Sequence, residues 1–369
     1  MSLRLSDELA LPVDVARQRF AFLAKTGAGK TYDAAVLAEE MLKTGLPIIV
    51  LDPMGVWWGL QVGAGGKGKG YPVVVFGGEH ANLPLDEGEA ERLADALVAT
   101  NISAVIDVSD LSHAALQRFI PPFLDELRRI NREDRHVFIE EADVIAPQKP
   151  QRNETVCLGA VDNFARRGGN KNLGLTLISQ RSAVVNKNVL TQSDYLVVLR
   201  TTAPQDKLAV AAWAVRRSAD KKALNAWLDS LDDLKDGEAY VWGDKMKDSV
   251  GGIKTQFRKR ETFHATRENL KKFDASKMKV MPVDEFVAKF REEFEAKVEK
   301  KALVTKTVTT DDRSTTEKER RGEQLNRENR EAAGTGLQAP SAWFEEEVDF
   351  EPVAEAWREV RKIAEAATA

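Results

Sequence analysis

The chain has 369 residues, 43% of them hydrophobic and 30% charged, enough to bury one sizeable core and still carry an appendage. No apolar run reaches the ~18 residues of a membrane span, and Met1 to Leu11 holds acidic residues instead of a basic stretch leading into an apolar one. Neither a membrane anchor nor an export leader is predicted, and a cytoplasmic protein is expected. Cys157 is the single cysteine, which rules out an intrachain disulfide and a cysteine-built zinc site, and His80, His113, His136 and His264 lack ligand spacing. The net charge of −4 argues against a generally basic nucleic-acid coat. From Ala275 onward, however, lie 17 basic and 21 acidic residues out of 54 and 58, so the part ahead is balanced and local Lys and Arg can still line a channel.

The first predicted strand is Phe20 to Leu23, followed by Ala24-Lys25-Thr26-Gly27-Ala28-Gly29-Lys30-Thr31 and a helix from Thr31 to Thr44. A glycine-bearing turn between strand and helix, ending in Gly-Lys-Thr, cradles phosphates with backbone N–H groups at a helix N-terminus. In that pattern Lys30 reaches the β- and γ-phosphates of ATP and Thr31 holds Mg²⁺. The plain alternative is an ordinary strand-to-helix turn. Further short apolar runs follow at Ile48 to Leu51, Val73 to Phe76, Ala104 to Ile106, Val137 to Ile139, Leu175 to Ile178, Tyr195 to Leu199 and Ala239 to Trp242. Stretches of helical period separate them at Gly88 to Ala99, Ser112 to Asn131, Glu154 to Arg167, Pro204 to Val215 and Lys221 to Leu231. The alternation predicts an α/β fold, a mostly parallel sheet with helices on both faces. Gly251 to Thr266 suggests one more edge strand or hairpin.

The domain reading is residues 1–275 for the nucleotide-binding body and 276–303 for an amphipathic helix carrying Val283, Phe286, Val287, Phe290, Phe294 and Val298 on one face. Residues 304–340, poor in large apolar side chains, read as a flexible charged linker. Residues 341–369 close the chain as a C-terminal amphipathic helix with Val353, Trp357, Val360 and Ala364 at helical spacing.

A hydrolase built on a phosphate loop needs a carboxylate at a buried strand end for Mg²⁺ and another to orient the attacking water. Val137-Phe138-Ile139-Glu140-Glu141 supplies both, with Glu140 read as the metal carboxylate and Glu141 as the base. Asp52 and Asp107 also end strands and are alternatives to Glu140, although neither has an acidic neighbour. Gln180, after Leu175 to Ser179, is placed to contact the γ-phosphate or its water, and Arg181 and Lys187 lie on the loop beyond it. Arg166 and Arg167 end the helix after the acidic pair, and a cation set against a neighbour's γ-phosphate raises the rate about 10³- to 10⁵-fold. Helix C-terminal arginines also complement the helix dipole without further purpose. Arg200 is the third arginine of this kind.

Ala24 to Thr31, Phe-Ile-Glu-Glu-Ala and Leu-Ile-Ser-Gln-Arg, in this order, resemble the HerA/FtsK superfamily of ring ATPases, nearest to its HerA-like branch. Leu51-Asp52-Pro53, Arg166 to Leu173, Asp194 to Arg200 and Asp236 to Ala239 support the resemblance, which covers about Phe20 to Thr266. It implies a P-loop, RecA-like fold and a homohexamer with ATP and Mg²⁺ at subunit interfaces. It also implies an arginine supplied in trans, matched only approximately by Arg166 or Arg167, and double-stranded DNA passed through a central pore by a translocase or helicase. Two departures stand out. The first loop position is Ala24 where glycine is commoner, and no β-barrel precedes the first predicted strand, which leaves the expected nuclease partner without its dock and turns attention to the tail as a recruiter of a nuclease or effector. The Gly63 to Gly70 loop, with Lys67 and Lys69, is an insertion for which pore contact is one reading. The alternatives to a DNA motor are an ATP-gated scaffold for an antiviral-type effector and a viral genome-packaging ATPase.

Overall fold

The structure is a computed structural model, and it describes residues 2–215, 221–243, 252–272 and 278–295. Val298, the linker read over 304–340 and the helix read over 341–369 lie outside the described residues. The strands are β1 (Ser2–Arg4), β2 (Ala10–Pro12), β3 (Arg19–Leu23), β4 (Ile48–Asp52), β5 (Val73–Phe76), β6 (Ser103–Asp107), β7 (Arg135–Ile139), β8 (Leu173–Ser179), β9 (Tyr195–Val198), β10 (Glu238–Gly243) and β11 (Ile253–Gln256). The helices are α1 (Lys30–Lys43), α2 (Ala90–Thr100), α3 (His113–Ile130), α4 (Ala142–Ile145), α5 (Thr155–Arg167), α6 (Lys187–Leu190), α7 (Pro204–Val215), α8 (Lys221–Ser230) and α9 (Arg267–Leu270), with α10 over residues 284–295. No helix among the described residues is long and apolar enough to cross a membrane.

Nine strands form one sheet in the order β11-β10-β9-β3-β8-β7-β4-β6-β5. Seven of them, β9 through β5 in that order, run parallel, and β10 and β11 add antiparallel to one edge. This is the expected α/β architecture with the expected extra edge strand. The apolar runs were continuous because both faces of a parallel sheet are covered. Alternate residues divide cleanly between the two faces: Phe20, Phe22, Ile48 and Val50 pack with α1, whereas Ile49, Leu51, Val137 and Ile139 pack with α2, α3 and α5. Trp213, Trp227 and Trp242 form a smaller cluster under α7 and α8 on the second face.

Two features were not expected from the pattern. The residues ahead of Phe20 contain a hairpin, β1 pairing antiparallel with β2, and bury Leu3, Leu5, Leu9, Leu11 and Val15 against the α1 face. Beyond β11 the described residues run as a belt across that face. Arg258 binds Glu39 and Glu40 of α1, Phe263 N–H donates to Val62 O, and Met281 N–H donates to Gln61 O. The belt rounds the β5 edge and ends in α10, where the ring of Phe290 meets Phe76 at 4.8 Å, Arg92 lies over Phe294, and Lys289 Nζ caps the carbonyl of Thr100 at 2.9 Å.

Candidate functional site

The sheet order brings the site together. From β3 the chain crosses through α1 to β4, three places along, and β8 and β7 fill the gap. The ends of β3, β8 and β7 therefore stand side by side, about 4.8 Å apart, on the edge where parallel sheets bind ligands. The loop after β3 is stitched to its neighbours: Ala24 N–H donates to Ser179 O and Lys25 N–H to Arg200 O. Gly27 and Gly29 have φ of 79° and 97°, a region glycine enters without strain, and Gly29 turns the chain into α1. Ala24 needs no such freedom, since the non-glycine residues of positive φ among those described are Asn101, Glu141 and Asn172. The first N–H groups of α1 have no intrahelical acceptor by construction, so the loop presents a row of donors.

Opposite that row sit the two carboxylates. Thr31 Oγ1 donates to Glu140 Oε1 at 2.8 Å, and Lys30 Nζ lies 3.2 Å from the same oxygen and 3.0 Å from Glu141 Oε1. Glu140 continues the β7 ladder, its N–H donating to Leu51 O, whereas Glu141 turns into the left-handed region at φ 47°, ψ 53° and starts α4. A bulky residue held there stores strain, and the strained turn is what aims both adjacent carboxylates at one lysine. Burial lowers the pKa of Lys30, but the charges of Glu140 and Glu141 outweigh it and hold the ammonium above its ordinary value. One cation shared by two anions leaves Glu140 short of compensation, and burial raises its carboxyl above the ordinary range.

Gln180 closes the group. Its amide N–H donates to Glu141 Oε1 at 3.0 Å, and its carbonyl accepts from Thr26 Oγ1 at 2.6 Å, so the phosphate loop, Glu141 and the β8 end form one hydrogen-bonded chain. The linking role of Thr26 was not legible beforehand. Nor was that of Trp57, whose indole N–H donates to Glu140 Oε2 at 3.1 Å; the Trp57-Trp58 pair in a glycine-bounded turn was the available signal.

Asp52 and Asp107 are engaged by their own turns. The oxygens of Asp52 accept backbone N–H groups of Met54, Gly55, Val56 and Trp57, and Oδ1 of Asp107 accepts from Ser109 N and Oγ. Arg200 is held within the chain by Asp236 at 2.7 Å and by the carbonyl of Leu234. Arg166 and Arg167 end α5 near the N-terminal ends of the parallel strands, opposite the phosphate loop, where Arg19, the first residue of β3, donates to Ala165 O. Arg166 bonds Asp162, Arg167 is exposed, and neither reaches this chain's own phosphate loop. Arg181 and Lys187, the latter opening α6, are exposed at the two ends of a loop stitched to the segment after the acidic pair, with Gln148 N–H donating to Val184 O and Asn186 N–H to Ala146 O. Lys149 and Arg152, on that segment after the acidic pair, are also exposed. The Gly63 to Gly70 loop is held against the belt, Ala64 N–H donating to Glu261 O, near the C-terminal half of α1.

Residues 4–142 match the family model described as "Helicase HerA, central domain". The DNA double-strand break repair helicase HerA of Pyrococcus furiosus is 30% identical over 111 residues, which is 30% of this chain and 18% of that protein, so the match spans less than a fifth of the relative's length. Similar solved structures include the genome packaging NTPase B204 from Sulfolobus turreted icosahedral virus 2, 11% identical, with 68% of this chain and 100% of that chain covered and a TM-score of 0.45. VirB4 of Thermoanaerobacter pseudethanolicus is 14% identical, with 73% and 97% covered and a TM-score of 0.45. The matched segment holds Lys30, Thr31, Trp57, Glu140 and Glu141 and stops short of Gln180. The resemblance carried by the motifs is thereby borne out over residues 4–142, where the chain matches the model of the HerA central domain.

Proposed function

We propose that this protein hydrolyses ATP and uses it to move double-stranded DNA through a ring of six copies. The observation that carries the reading is the single hydrogen-bonded group formed by Thr26, Lys30, Thr31, Glu140, Glu141 and Gln180 at the mouth of a phosphate loop. Ala24 to Thr31 would hold the phosphates. Thr31 and Glu140 offer an all-oxygen pair that suits Mg²⁺, which prefers few protein ligands and retained waters. Bound there, the ion would neutralise charge developing on the phosphates. Glu141 orients the attacking water and accepts its proton, and Gln180 fixes the Glu141 oxygen that faces the loop. Arg166 and Arg167, remote from their own loop, serve the loop of the next copy. Arg181 and Lys187 hold the DNA backbone.

The HerA central domain and the named activity of the Pyrococcus relative support DNA as the partner, and a cytoplasmic setting follows from that role. A nuclease or effector would be recruited through residues 341–369. The test is the steady-state ATPase rate with and without long double-stranded DNA, with Glu141→Gln as the blank. Stimulation that falls steeply with salt and is absent in the blank is expected. Turnover indifferent to DNA would sink the motor reading and leave an ATP-gated scaffold.

A further inference from the structure

The turn after β4 reaches the site from the side away from the phosphate loop. Asp52 is fully buried and its two oxygens accept four successive backbone N–H groups, at 3.0 Å from Met54 and Gly55 and at 2.7 Å from Val56 and Trp57. Gly55 completes the turn at φ 64°, where a Cβ would come within 3.1 Å of Asp107 Oδ2 and 3.2 Å of Ser109 Oγ. The turn is thus rigid, and it delivers Trp57 into the core. The indole is 1% exposed, packs on Phe138 of β7 with ring centroids 5.7 Å apart, and cannot swing out without opening that contact.

An indole N–H is a donor only, and here it points at Glu140 Oε2. The other oxygen, Oε1, receives Thr31 Oγ1 and lies beside Lys30. With Oε2 engaged, the carboxylate cannot rotate to give both oxygens to Lys30. We propose that Trp57 is a positioning residue for Glu140, fixing one oxygen so that the other is presented to Thr31 and to a divalent cation, with Asp52 as the clamp that holds the turn in place. The inference rests on Glu140 being the metal carboxylate. Partners that orient a metal ligand in this way commonly account for about ten- to hundredfold in metal affinity.

The test is Trp57→Phe, which keeps an aromatic ring against Phe138 and deletes the N–H. Mn²⁺ is used as the probe cation, and its binding to full-length protein saturated with ATPγS is followed by electron paramagnetic resonance. The expected result is about ten- to hundredfold weaker Mn²⁺ binding in the variant, with ATPγS affinity in chelator unchanged. Equal Mn²⁺ affinity in the two proteins overturns the role of Trp57 alone. Failure of the unaltered protein to bind Mn²⁺ with ATPγS overturns the assignment of Glu140 and this inference with it. Should Trp57→Phe not fold, benzothienylalanine at position 57 puts sulfur in place of the N–H with the bicyclic shape kept, and the same outcomes decide.

Discussion

The two ends of α1 both bury acid against base, and they do it in opposite ways. At the N-terminal end Lys30 serves Glu140 and Glu141 together, with Glu141 in a left-handed conformation. In the C-terminal half Glu39, fully buried, accepts from Glu261 N, Thr262 N and Thr262 Oγ1 and pairs with Arg258, and Glu40 accepts from Arg4 N and pairs with Lys43 and Arg258. Every carboxylate there has several donors, so the cluster has one good arrangement. The N-terminal cluster is short of cation and strained, which on the proposed function lets Lys30 exchange a carboxylate for phosphate. One helix therefore carries a site made to rearrange and a weld made not to.

Glu141→Gln should sharpen the contrast most. It is expected to lower ATP turnover by about 10²- to 10⁴-fold, while urea denaturation shows stability unchanged or slightly raised, because the competition for Lys30 is relieved. Lost stability with intact turnover would place Glu141 in the weld class. Glu39→Ala should do the reverse: removing one partner of a buried ion pair costs about 3–5 kcal/mol, read as a lower denaturant midpoint, with turnover changed only as far as the folded fraction falls. His136 offers a third arrangement, polar and buried without charge. Its Nδ1 donates to Ala16 O at 2.6 Å, its Nε2 accepts from Thr176 Oγ1 at 2.7 Å, and burial lowers its pKa to about 4. A depressed pKa means that stability is fully present above the ordinary value near 6.5 and is lost as pH falls from there towards 4. The loss is on the order of 3 kcal/mol, read by urea midpoints at pH 7 and pH 4.5. His136→Asn should reduce that slope, leaving a part of similar size owed to His264, which burial and the Arg260 charge also lower to about 4.

How much of this was legible follows from how far apart the partners lie in the chain. The phosphate loop, the Glu140-Glu141 step and Gln180 are local signals: each is a short polar run ending an apolar strand, and a parallel sheet places such ends on one edge. The strands and the long helices fell within a few residues of their expected bounds for the same reason. Trp57 and Glu140 are 83 residues apart, and only the order of β4 and β7 in the sheet joins them. The choice between Asp52 and Glu140 was open because both end buried strands, and the four backbone donors that engage Asp52 come from a turn whose shape depends on Gly55. The β1–β2 hairpin escaped because its strands are three residues each, too short to show an alternation.

The belt has a bearing on how this protein can be cut and recombined. The residues of the hydrogen-bonded site, Thr26 to Gln180, all precede Arg181, so a shortened chain ending soon after β11 would still keep every one of them. It would nonetheless strip Glu39 of its donors from Glu261 and Thr262 and uncover Phe76 where Phe290 now sits. Exchanging tails between relatives of this chain would spare the described fold only when the junction lies beyond residue 295. The stretch with no recognisable motif is thus the part that a domain swap can least do without.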